Sequence, residues 1–114
     1  MYMRMVIGRV RPGCWGQYET AHRRHVEPQL LRMPGLVACW LARSTTDQDM
    51  GCVVSLWSSR AAMQTYERSD AVRGEILPAV APYLSSGFLA HHCEIDDGSE
   101  AGDSLPESRA DEIL

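Results

Sequence analysis

The sequence contains no lysine, since all 11 of its basic residues are arginine, and it has a single phenylalanine. It also has no Cys-x-x-Cys pair, no glycine-rich phosphate loop, no Gly-x-Ser-x-Gly elbow and no His-Glu-x-x-His stretch. Cys14, Cys39, Cys52 and Cys93 stand singly along the chain, which argues against a zinc site and a secreted disulfide framework and predicts reduced thiols. The missing loop and elbow remove the recognisable nucleotide-, flavin- and serine-hydrolase chemistries, so no cofactor is expected. No apolar run approaches the ~20 residues of a membrane span. The amino terminus carries Arg4 inside a short apolar run with no small-residue cleavage site, so it reads as a strand and not a signal peptide. A cytoplasmic protein is expected.

What is present fits one domain. A chain of 114 residues buries roughly two-thirds of its unfolded surface on folding. The net charge of −4 is unevenly placed: seven acids against Arg109 alone put −6 on residues 96–114, which leaves +2 for residues 1–95. That balance supplies no basic stripe for phosphates, and nucleic-acid binding is not expected. The tail from 96 to 114 is rich in Asp, Glu, Gly and Ser, and disorder is predicted there.

Residues 3–11 alternate with apolar side chains on both faces, so both faces need cover. Helical spacing follows over 15–33 in Trp15, Tyr18, His22, Val26 and Met33, with a kink or restart predicted at Pro28. Leu36 to Arg43 reads as a second strand, Ser44 to Met50 as a hairpin loop and Gly51 to Trp57 as a third strand. Ser58-Ser59 offers a cap for a helix with Ala62, Met63 and Tyr66 on one face. Asp70 can cap a further helix that Pro78 and Pro82 should break, and Gly87 to Ile95 reads as the last strand. Strand, helix, strand twice over is the split βαβ, or ferredoxin-like, α+β arrangement: a four-stranded antiparallel sheet with helices on one face. Two helical segments cover one sheet face only. A second copy of the chain is the simplest cover for the other, so a homodimer is expected.

The first helix has an unusual inner face. At about 100° per residue, Tyr18, His22, His25 and Gln29 fall in one stripe where a dry core would carry Leu, Ile or Val. These side chains either lie on a half-exposed edge or line a cavity that holds water or a ligand. His91 and His92, adjacent on a strand, point to opposite faces and cannot share a metal, and His22 with His25 lacks a Cys or acid at a zinc-like spacing. No metal site is expected.

The stretch from His22 to Leu36, with its closing Met33-Pro34-Gly35, resembles the antibiotic biosynthesis monooxygenase family; so do Val53 to Met63, with Trp57-Ser58-Ser59, and Tyr66 to Ser69. The likeness covers about residues 3–95. It implies a dimeric α+β barrel, in a family that includes cofactor-independent oxygenases of polyketide anthrones and quinones, haem-degrading enzymes and proteins with no known reaction. Aligned by its motifs, this chain has Val6, Tyr66 and Ile76 where haem-degrading members carry an Asn, a Trp and the haem-ligating His. The third-strand Trp of anthrone-oxidising members matches Trp57, and their Asn and Tyr companions fall on Val53 and Met63.

The reading that follows is a cofactor-free monooxygenase, or related tailoring enzyme, acting on a small aromatic phenol or anthrone with O₂. His22 or His25 is expected to serve as general base, with Tyr18, Gln29, Trp57, Tyr66 and Ser55 holding the substrate. The alternatives are a non-catalytic small-molecule-binding or accessory protein of the same fold, and a polyketide cyclase that does not oxidise.

Overall fold

The structure is a computed structural model that describes residues 1–96. The predicted disordered tail therefore lies, apart from Asp96, outside the described residues. The chain runs β1 (Tyr2–Arg9), α1 (Trp15–Ala21), a π turn (His22–Val26), α2 (Glu27–Arg32), β2 (Leu36–Arg43), β3 (Met50–Trp57) and α3 (Arg60–Glu67). A second π turn (Val72–Ile76), α4 (Leu77–Val80), a 3₁₀ turn (Ala81–Tyr83) and β4 (Leu89–Glu94) complete it. The four strands form one sheet in the order β2-β3-β1-β4, each neighbouring pair antiparallel. This is the expected ferredoxin-like α+β fold.

Several boundaries differ from the sequence expectation. The first strand stops at Arg9 because Val10 leaves the ladder for an isolated bridge to Leu84. The last strand spans Leu89–Glu94 rather than 87–95, and the third begins at Met50. Asp70 is already helical, and the Ser69 hydroxyl donates to the Tyr66 carbonyl at 2.6 Å.

Pro82 ends α4, since the chain passes there into the 3₁₀ turn, but Pro28, expected to kink or restart its helix, and Pro78, expected to break one, widen them instead. Proline offers no N–H and crowds the carbonyl four residues back. Ahead of Pro28 the Glu27 N–H reaches five residues back to the His22 carbonyl, and ahead of Pro78 the Leu77 N–H reaches Val72 in the same way. Each arm thus carries a π turn beside its proline, a feature frequent at functional sites.

The helical layer packs on one sheet face around Val26, Leu30, Trp57, Met63, Tyr66, Ile76 and Val80. Ser59, in extended backbone, caps α3 by accepting from the Ala62 N–H at 3.1 Å, a contact worth about 1 kcal/mol. Gly35 has φ +87°, and a Cβ there would collide with Ala62, so only glycine lets α3 close on the start of β2. On the opposite face Met3, Met5, Val54 and Leu56 sit in cross-strand register, beside an exposed Trp40 and Leu89. No helix covers them among the described residues. No helix there is long and apolar enough to cross a membrane.

Candidate functional site

The β1–β3 register opposes Arg4 to Ser55, Val6 to Val53 and Gly8 to Gly51, and sends these side chains toward the helices. A cavity lies between the two layers. Arg4, Val6 and Val53 form its floor, and Tyr18, Val26, Tyr66 and Ile76 form much of its wall. Gly8 and Gly51 make a depression in the sheet. The Trp15 ring fills the Gly51 side, where a Cβ would run into it, and the Arg43 guanidinium lies 5.1 Å above that ring. Both π turns border the cavity, through Val26 on one arm and Val72 and Ile76 on the other. Its volume is about 90 Å³, against roughly 150 Å³ for an engineered void that takes benzene. A single aromatic ring therefore enters when wall side chains shift, and a three-ring molecule needs a wall to open.

The seven residues named from sequence part into three groups. Tyr18 and Tyr66 line the cavity. Burial, with a lesser contribution from Cys52, pushes the Tyr18 phenol up to about 12. Burial also raises that of Tyr66, against the opposing pull of Arg4. Both keep their protons at neutral pH.

His22 is 3% exposed and sits behind Tyr18, with ring centroids 6.1 Å apart. Its Nδ1 has no hydrogen-bond partner among the described residues. Burial holds its pKa below the ordinary value, so the imidazole is neutral at pH 7. His22 itself does not line the cavity.

Four residues lie elsewhere. His25 is exposed and faces a shallow groove beside Arg24 and Tyr83, and the Gln29 amide donates to the Glu75 carboxylate on the surface. The expected four-residue stripe is therefore split. Its physical reason is the π turn: one extra residue within His22–Val26 shifts the phase that a 100° step carries along a regular helix. Trp57 has no exposed surface; its ring stacks on Tyr66 at 5.2 Å, and its indole N–H donates to the Ser55 hydroxyl at 2.9 Å. Trp57 and Ser55 thus support Tyr66 from behind rather than facing the cavity.

The sequence reading passed over Arg4. The signal was available: a charged residue between Met3 and Met5, at a position whose strand neighbours Val6 and Gly8 turn inward. The guanidinium lies 5.7 Å from the Tyr66 ring centroid, and Nε is 3.2 Å from Glu67 Oε2. Glu67 also accepts from His92 Nε2, at 2.9 and 3.0 Å to its two oxygens.

Ile76, which the family resemblance sets against a haem-ligating His, presents an aliphatic side chain to the cavity and offers a metal no donor atom. Among the described residues no three His, Cys, Asp or Glu side chains are grouped to hold a metal ion.

Residues 1–74 match the family model described as antibiotic biosynthesis monooxygenase. No curated protein matches the sequence significantly. Among solved structures, a candidate antibiotic biosynthesis monooxygenase from Nitrosomonas europaea superposes with TM-score 0.73 at 16% identity, over 85% of this chain and 100% of that one. A second such candidate, from Caulobacter crescentus, gives 0.74 at 17% identity over 84% and 90%. A Mycobacterium tuberculosis protein gives 0.71 at 13% identity over 87% and 98%. These structural likenesses establish the fold, and the match over 1–74 establishes the lineage: the chain belongs to the antibiotic biosynthesis monooxygenase family.

Proposed function

We propose that the protein oxygenates a small aromatic phenol or enol, held between sheet and helices, without an organic cofactor. The observation that supports this reading most is the cavity itself: a mostly apolar enclosure into which Tyr18, Tyr66 and Arg4 bring polar groups, with a neutral imidazole one side chain behind. A substrate of this class does the electronic work itself. Once a base takes its proton, the delocalised carbanion passes an electron to O₂, and the two radicals combine to a peroxide. Loss of water then leaves a carbonyl, so that a CH₂ group and O₂ become C=O and H₂O. The protein's part is a base, a dry wall and a held ring. His22 is the base in this proposal, reaching the site when Tyr18 shifts. His25 and Gln29 take no part.

The test is oxygen uptake with anthrone and with single-ring phenols that have a free para carbon, followed by product analysis for the inserted oxygen. His22→Ala should lower turnover by roughly 10²–10⁴ and His25→Ala should leave it unchanged. Equal losses for both, or none for His22→Ala, would remove the base assignment. The second reading is a binding protein without turnover, favoured by the placement of His22 outside the cavity lining. It predicts saturable binding of the same compounds with no oxygen uptake; conversion without uptake points instead to a cyclase.

A further inference from the structure

Among the described residues the cavity is lined by one charged side chain, that of Arg4 on its floor, with aliphatic, aromatic, glycine and cysteine neighbours. Its side chain is 13% exposed. A cation held there at the expense of hydration needs an anionic partner. Glu67 supplies one only in part. Nε lies 3.2 Å from Glu67 Oε2, yet the Nε–H is misdirected and makes no hydrogen bond among the described residues, so a buried donor stands unpaired there. The Glu67 carboxylate is also shared with His92 across the β1–β4 register, where Arg4 opposes His92. Neither terminal nitrogen of the guanidinium makes a hydrogen bond among the described residues, and neither is enclosed as Nε is. These two nitrogens are the donors left for a ligand, 5.7 Å from the face of Tyr66, against which an aromatic ring would lie.

We infer that Arg4 is an oxyanion-binding residue: the cavity takes its aromatic ligand with an ionised oxygen, phenolate or enolate, against the guanidinium. The inference rests on the reading of this cavity as the ligand site. It adds a role that a base alone leaves open, since the charge created by deprotonation is held by a fixed donor pair in a poorly solvated place. Glu67 sets the strength of that hold, because its negative charge offsets the arginine.

The test uses 4-nitrophenol, whose ionised form has its own absorption band, and 4-nitroanisole, which cannot ionise. Binding of each is followed by quenching of tryptophan fluorescence, and the pKa of bound 4-nitrophenol by absorbance. The wild type should favour the phenolate about tenfold, lowering the bound pKa by about one pH unit. Arg4→Gln should abolish that lowering and leave 4-nitroanisole affinity within about twofold. Glu67→Gln, which removes the competing carboxylate, should lower the bound pKa further. A purely structural Arg4–Glu67 pair predicts instead that both variants lose melting temperature while the bound pKa stays at the wild-type value, and that result overturns the inference. Failure of the wild type to bind either compound would overturn the cavity reading beneath it.

Discussion

At the scale of single residues, His22 shows how burial rather than sequence neighbours decides chemistry. Arg23, Glu19 and Glu27 stand close in the chain, and their charges act on the imidazole, but desolvation is the largest influence and lowers its pKa from 6.5. The unfolded chain takes up a proton on this group as the pH drops below 6.5, whereas the folded chain resists doing so. The stability tied to this difference is complete above pH 6.5 and is lost as the pH falls toward the folded value. Replacing the ring by a hydrocarbon also removes the unpaired Nδ1. His22→Leu should therefore keep its stability at pH 7 within about 1 kcal/mol and should lose melting temperature less steeply than the wild type between pH 6.5 and 5. Parallel melting curves across that range would show that His22 titrates alike in both states.

At the scale of elements, the strands were legible because their signal is local. Alternation over Leu36–Arg43 and Met50–Trp57, broken by a polar loop, leaves few other ways to fold, and the observed spans agree to within a residue. The first helical arm was legible as a helix and not in its phase. Pro28 gave notice of a disturbance, but a kink, a restart and a π turn are alike to that residue; packing against the second arm, which carries the matching π turn before Pro78, decides among them. The site follows accordingly: Tyr18, before the π turn, lines the cavity, while His25 and Gln29, within and beyond it, lie away from it. Trp57 and Tyr66 illustrate a different limit. Both are expected from sequence to hold the substrate, and only the stacked pair shows that Tyr66 faces the cavity with Trp57 behind it. The closure of α3 on β2 can be tested at Gly35. Gly35→Ala combines an αL penalty of about 1–2 kcal/mol with a collision against Ala62, so it should lower the melting temperature, whereas Gly16→Ala, inside α1, should hold or raise it. Gly16 has negative φ and open space around its Cβ position. An unchanged melting temperature for Gly35→Ala would mean that the turn relaxes freely.

At the scale of the whole molecule, the sheet has two apolar faces and, among the described residues, one layer of helices. The face turned from the helices carries Met3, Met5 and Ile7 on β1 and Val54 and Leu56 on β3, with Trp40 on β2 and Leu89 on β4 exposed at its flanks. Such a surface on a central pair of strands costs free energy in water at roughly 25 cal/mol per Å² and invites association. Cover by an identical face is the arrangement that needs no further component and closes by a two-fold axis. Light scattering at micromolar concentration should therefore give twice the chain mass. Val54 is the place to probe the contact, since it opposes Met5 and Trp40 at the middle of the sheet, away from the cavity on the other side. Val54→Glu puts a charge at the centre of the proposed contact, where pairing with its symmetry mate would bury two carboxylates without counter-ions, a strongly unfavourable step. In a monomer the same glutamate stands in water and disturbs little of the core around Trp57 and Tyr66. The expected result is a folded chain of half the wild-type mass with the Trp57 fluorescence environment retained. A wild type that already scatters as a monomer, or a Val54→Glu variant that still forms the wild-type dimer, would show that this face is not where two copies meet.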